Sequence, residues 1–197
     1  MARIVQTDDT FTIDAAPLCL AFRRVGERWV HDLELDGQTI ARSVEFDPDR
    51  DDPDRPVSPA FQQLSGQELP DKTRALLVGQ WGRHHGSAVF SVVHQGKGVM
   101  VEADLAVRSL SPLLSLASTY LVRMTSSDLI DAGPSGIIWN VVGASSGRLR
   151  FEPGNEPSRV GLAEAGRAAT RVQVTVPISA DAPHQRLIYR WRWNPDD

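Results

Sequence analysis

The sequence predicts an all-β fold, mostly antiparallel, with about eleven strands and one or two short helical turns, built as a β-sandwich or a partly open barrel. Three observations carry this. In "TRVQVTVP", Val172, Val174 and Val176 fall on one side and Arg171, Gln173 and Thr175 on the other. That is the period of a half-buried strand, and its β-branched residues resist helix through restricted χ1. Next, Asp36-Gly37 separates "RWVHDLEL" (28–35) from "QTIARSVEF" (38–46). Asp-Gly suits the type I′ turn, which needs positive φ twice. Finally, "SAVFSVVH" (87–94) and "VMVEADLAV" (99–107) flank "QGKG". With Gly96 and Lys97 at the tip, His94 opposes Val99, Phe90 opposes Ala103 and Ala88 opposes Leu105. One face is then apolar (Ala88, Phe90, Val92, Val99, Val101, Ala103, Leu105, Val107), and the other carries Ser87, Ser91, Glu102, Asp104 and Arg108. A slip of one residue would turn both acids inward, so the register is strongly specified.

The remaining elements follow in order. "ARIVQ" and "TFTID" read as N-terminal strands, then "LCLAFRRV" (18–25), closed by Gly26-Glu27, whose glycine suits a type II′ turn. Phe46 ends this meander, and a long polar crossover (47–72) begins at "DPDRDDPDRP". Within it "SPAFQQLSG" (58–66) has Ser58 as N-cap, Pro59 at N1 and Gly66 at C′, the signature of a short helix. The sheet resumes near Ala75, and Pro112 is placed to open another short helix. "ASTYLVRM" (117–124), "GIIWNVV" (136–142), "RLRFE" (148–152) and "RLIYRWRW" (186–193) complete the strands. No repeat or linker interrupts them, so residues 1–197 are expected to form one β domain, with 47–72 crossing inside it.

Composition excludes several classes. The chain is 41% hydrophobic over 197 residues, enough to bury a core without staples. A net charge of −4 without a basic block speaks against nucleic-acid binding. Only Lys72 and Lys97 among the 21 basic residues are lysines, a skew that fits GC-rich, bacterial-like coding. Cys19, the single cysteine, rules out an internal disulfide and the usual structural zinc clusters, and its apolar surroundings predict a buried, inert thiol. No apolar run approaches the length of a membrane span, and "MARIVQTDDTFTID" has acids where a signal peptide needs its apolar stretch. A soluble cytoplasmic protein is the expectation; a periplasmic or secreted module whose signal has been trimmed is the alternative, against which Met1 argues.

Motif chemistry is sparse. "FDPDRDDPDRP" (46–56) holds five aspartates and starts like a calcium loop at Asp47, Asp49 and Asp51. Asp52 stands where the turn needs Gly, and Ser58 where it needs the bidentate Glu. The stretch therefore reads as a stiff solvated connection, and as a lid over one end of the sheet by hypothesis. "GASSG" (143–147) matches the nucleophile-elbow string around Ser145, but a strand rather than a helix follows it, so a hairpin turn is the better reading. In "GQWGRHHG" (79–86) adjacent histidines on a strand must face opposite ways. His84 goes to the apolar side; His85 goes to the polar side opposite Arg108, near Asp104. His31 joins the Trp29, Leu33 and Leu35 face as a partly buried core histidine. In "RLIYRWRW", Leu187, Tyr189, Trp191 and Trp193 share one face, either core or a platform for sugar rings, and Arg190 and Arg192 share the other.

These residues support a non-catalytic ligand-binding or assembly domain, with a small polar molecule or carbohydrate as ligand. The expected ligand-binding residues are Trp81, His85, Arg108, Arg190 and Arg192. The alternative is a small-substrate isomerase or hydrolase with His85, Glu102 and Asp104 as its acid–base cluster. Neither reading calls for a metal or cofactor, a membrane or nucleic acid. Homo-oligomerisation through a sheet edge is compatible with both.

Overall fold

Sixteen strands form among the described residues of the computed structural model, which are 2–47, 51–124, 127–165, 169–179, 182 and 184–196. They are β1 (Arg3–Gln6), β2 (Thr10–Ala15), β3 (Leu18–Val25), β4 (Arg28–Leu35), β5 (Gln38–Ser43), β6 (Gln63–Glu68), β7 (Thr73–Trp81) and β8 (His84–Gln95). The second half holds β9 (Gly98–Ser109), β10 (Leu116–Val122), β11 (Leu129–Gly133), β12 (Gly136–Val141), β13 (Gly147–Pro153), β14 (Arg159–Ala165), β15 (Thr170–Val176) and β16 (His184–Pro195). Two eight-stranded sheets result, in the orders β1-β2-β3-β4-β5-β10-β15-β14 and β11-β12-β13-β16-β9-β8-β7-β6. All pairings are antiparallel, neither sheet closes into a barrel, and the fold is a β-sandwich.

The turns obey their residues. Asp36 and Gly37 take φ values of 50° and 75°, as a type I′ turn requires, and Leu35 pairs with Gln38 across them. The β8–β9 register is the expected one, with His94 opposite Val99, Phe90 opposite Ala103 and Ala88 opposite Leu105. Alternation then sends Ala88, Phe90, Val92, Val101, Ala103 and Leu105 inward, where all are buried. Phe11 packs on Phe22 within the first sheet, and Phe22 meets Phe90 of the second edge to face at 5.4 Å between centroids. Burying such rings supplies most of the stabilisation of this core.

Two expectations are overturned. No helix forms at 58–66: residues 63–68 are strand β6, paired with β7 from Gln63↔Val78 to Glu68↔Thr73. The capping residues are diverted to tertiary contacts. Ser58 Oγ accepts the Thr119 backbone N–H at 2.9 Å, and its carbonyl accepts that of Phe46. Gly66 lies under Phe11, where a Cβ would come within 2.5 Å of Cε2. Nor does a helix start at Pro112; residues 112–115 are irregular, with the Leu114 and Ser115 amides both donated to the Asp54 carbonyl. The crossover is correspondingly shorter than 47–72, because β6 lies within its second half and pairs with β7, which starts at Thr73. Cys19 is half-buried rather than buried, on the outer face between Asp14 and Glu34 of the neighbouring strands.

One buried polar chain runs through the centre. Ser118 Oγ donates to Tyr189 Oη (2.9 Å), the two tyrosine hydroxyls are 2.7 Å apart, and Tyr120 Oη is 2.7 Å from His31 Nε2. His31 Nδ1 lies 3.4 Å from the buried Glu45 carboxylate. With a proton on Nδ1 facing that carboxylate, Nε2 accepts, and the hydroxyls donate in one direction from Ser118 through Tyr189 and Tyr120 to His31. Burial pushes both tyrosine hydroxyls above their usual range, so they stay neutral and serve as donors. His31 is thus fully buried, not partly.

Candidate functional site

Five connections pass from one sheet to the other, and three of them meet at one end of the sandwich: β5–β6, β9–β10 and β15–β16. Between the last two lies a groove of about 620 Å³. Leu110, Leu113, Leu114 and Ile178 give it an apolar wall; Ser109, Ser111, Ser179 and Gln185 supply hydroxyl, carbonyl and amide groups. Leu110 and Leu114 are 62% and 52% exposed, so this wall is open to a visitor. Gln185 is buried and its Nε2 donates to the carbonyls of Ser179 and Ala182, which fixes the β15–β16 side.

The third connection props this groove. Pro53 accepts the Trp81 Nε1–H at 3.1 Å, and Asp54 receives the Leu114 and Ser115 amides. The Asp54 carboxylate also lies 2.9 Å from His84 Nε2 and 3.3 Å from Ser111 Oγ. The other nitrogen of His84, Nδ1, is 3.0 Å from Ser109 Oγ. His84 is completely buried, against Trp81 on one side, and Gly86 leaves room for the indole: a Cβ there would fall 2.6 Å from Cζ3. Sequence reasoning placed His84 correctly on the apolar side but missed its partners. Asp54 is 30 residues away and Ser109 25. For Ser109 the signal was available, since extending the β8–β9 register by one step sets it opposite His84.

The sequence-derived site residues are dispersed. His85 and Arg108 face each other on the outer face, both exposed, and His184 of β16 extends their row. Glu102 and Asp104 lie further along the same face but are bound by arginines: Arg190 Nε–Glu102 at 2.7 Å and Arg186–Asp104 at 2.6 and 2.8 Å. Arg192 and Arg150 both bind Glu152 at 2.7 Å. The face is a cross-strand charge ladder, with its acids matched by arginines rather than by His85. Trp81 belongs to the interior, 3% exposed, so it offers no open surface to a ligand. Trp191 and Trp193 are core as well, and Trp191 stacks on Phe151 at 4.4 Å; stacking of these tryptophans on sugar rings is excluded.

The other motifs resolve as connections. Ser145 donates both its amide and its hydroxyl to Asp36, not to an imidazole, in the hairpin between β12 and β13. No cluster of three metal-ligating side chains occurs among the described residues. Pro48, Asp49 and Arg50 of the aspartate stretch lie outside the described residues; Asp51 accepts the Asp47 amide, and Asp52 that of Asp54, as turn-forming aspartates do. Burial, reinforced by Glu34 and Asp14, pushes the Cys19 thiol up to about 12, so it is inert though not deeply placed.

What the fold and groove define is an antiparallel β-sandwich with an amphipathic cleft at its crossover end. No protein-family model and no curated protein matches the chain. Among solved structures it superposes on the heparan sulfate lyase HepC mutant from Pedobacter heparinus, with a TM-score of 0.63 and 6% identity. All of this chain is covered, but only 37% of that one, so the chain spans little more than a third of the lyase. At this identity the likeness establishes the fold alone. No helix among the described residues is long and apolar enough to cross a membrane.

Proposed function

We propose that the chain is a ligand-binding β-sandwich module whose ligand seats in the groove between the β9–β10 and β15–β16 connections. The carrying observation is the composition of that groove: exposed leucines beside hydroxyl, carbonyl and amide groups, in a volume of about 620 Å³. Such a lining suits a small molecule with an apolar face and several polar groups. A sugar ring has that character, with C–H faces and hydroxyl edges. The sandwich neighbour in a carbohydrate-active enzyme adds weak support for this class. The β5–β6 connection, residues 51–56 in particular, braces the groove wall through Asp54, which is the lid role in altered form: a brace rather than a cover.

The test is a thermal-shift screen with mono- and oligosaccharides and small polar acids on the protein and on Leu114→Arg. Binding to the native state raises Tm. Leu114 is mostly exposed, so the variant folds but obstructs the groove. A hit on the protein that vanishes in the variant supports the proposal. A hit unaffected by Leu114→Arg, or no hit combined with concentration-dependent dimerisation that the variant abolishes, replaces it with an outer-face site or with an assembly surface.

A further inference from the structure

We propose that Ser109 is an activated nucleophile and that the groove supports hydrolysis of small carboxylic esters. The inference goes beyond ligand binding and reverses the expectation of a non-catalytic domain. It rests on a three-residue chain drawn from separate parts of the sequence: Asp54 Oδ1 at 2.9 Å from His84 Nε2, and His84 Nδ1 at 3.0 Å from Ser109 Oγ.

The protonation pattern follows from the partners. An ionised carboxylate only accepts, so Nε2 carries the ring proton. Nδ1 is then left with its lone pair, and Ser109 donates to it. A serine hydroxyl hydrogen-bonded to the basic nitrogen of a carboxylate-oriented imidazole has the roles of the serine-hydrolase triad, with the two ring nitrogens exchanged. The imidazole is fully buried, and its second nitrogen is held by Asp54. Ser109 is half-buried and lines the groove, with Leu110, Leu113, Leu114 and Ile178 placed to receive a short acyl chain.

The chemistry balances with water alone. Ser109 Oγ attacks the ester carbonyl while its proton passes to Nδ1. The tetrahedral adduct collapses, the C–O bond to the alcohol breaks, and the leaving oxygen takes the proton from Nδ1. Water then gives a proton to Nδ1 and attacks the acyl-serine, releasing the acid and restoring the hydroxyl.

The experiment treats the protein with phenylmethylsulfonyl fluoride and a fluorophosphonate, maps adducts by peptide mass, and measures p-nitrophenyl butyrate turnover. We expect one adduct on the peptide containing Ser109. Turnover should fall to background in Ser109→Ala and by roughly 100-fold in Asp54→Asn, where the ring proton is no longer held on Nε2. Ser145→Ala, in the unrelated hairpin, keeps full activity. The labelling needs no variant, so a folding defect cannot obscure it. Absence of an adduct at Ser109, or turnover unchanged in Ser109→Ala, overturns the proposal and leaves the three groups as a structural brace. The saccharide thermal shift is read on the unsubstituted protein and on Leu114→Arg, with no serine labelled or replaced, so the two proposals fail independently.

Discussion

Asp32 shows how a single side chain here carries both stability and pH dependence. It is almost fully buried between Arg23 and Arg42, at 2.8 and 2.9 Å. Burial alone would raise its pKa, but the Arg42 hydrogen bond and the Arg23 charge outweigh it and leave the group below the usual carboxylate range. A depressed carboxylate contributes stability above its unfolded pKa of about 3.9 and loses it as pH falls through the folded value. Asp32→Asn should therefore cost about 2–3 kcal/mol at pH 7 in urea unfolding and flatten the acid limb below about pH 4. The buried tyrosines act at the opposite limb. Their raised values mean that the unfolded chain loses these protons first, so stability falls as pH rises past about 10. Tyr120→Phe removes the donor to His31 and should cost about 1–3 kcal/mol, measured the same way. None of these partnerships is readable from sequence, because Tyr120 and Tyr189 are set side by side only when the sheets pack. The alternation that buries Tyr189 was legible; its hydroxyl partner was not.

At the scale of elements, local signals succeeded where pairing agreed with them. The β8–β9 hairpin has a two-residue tip, a clean apolar face and acids on the other, and each of these demands one register. Strand β6 had the reverse situation. Ser58, Pro59 and Gly66 spell helix locally, but the edge of β7 needed a partner, and β6 supplies its backbone groups. Capping signals are worth about 1 kcal/mol, less than a six-residue ladder with Gly66 packed under Phe11. Gly66→Ala would favour a helix at an interior position, yet against this strand it forces a methyl into Phe11 and Ile4. It should destabilise by about 1–3 kcal/mol in chemical unfolding without adding helical circular dichroism. A rise in helical signal would contradict the strand assignment.

For the molecule as a whole, the proposed ligand groove lies where the connections cross rather than on the regular faces. The outer face of β9, β16 and β13 is closed by its ladder of arginine–carboxylate pairs, and the inner face by aromatic packing. Alternation separated the two faces, but the arginines were given to a ligand and the tryptophan row was left between core and sugar platform, because their partners appear only when β13, β16 and β9 pair and the sheets pack. The crossover end was not legible, because it is assembled from connections far apart in sequence, around positions 51–56, 110–114 and 178–179. Replacing 51–56 with a glycine–serine linker removes the Asp54 brace on Leu114 and Ser115 and the Pro53 acceptor of Trp81. That variant should lose ligand binding in the thermal-shift screen while keeping the β-sheet circular dichroism of the sandwich.

Amide chemical-shift mapping with the best saccharide or small-molecule hit tests the central claim most directly. The account predicts shifts concentrated at Ser109, Leu110, Ser111, Leu113, Leu114, Ser179 and Gln185, around the groove. Shifts confined to the outer row of His85, Arg108 and His184, with the groove silent, would contradict it.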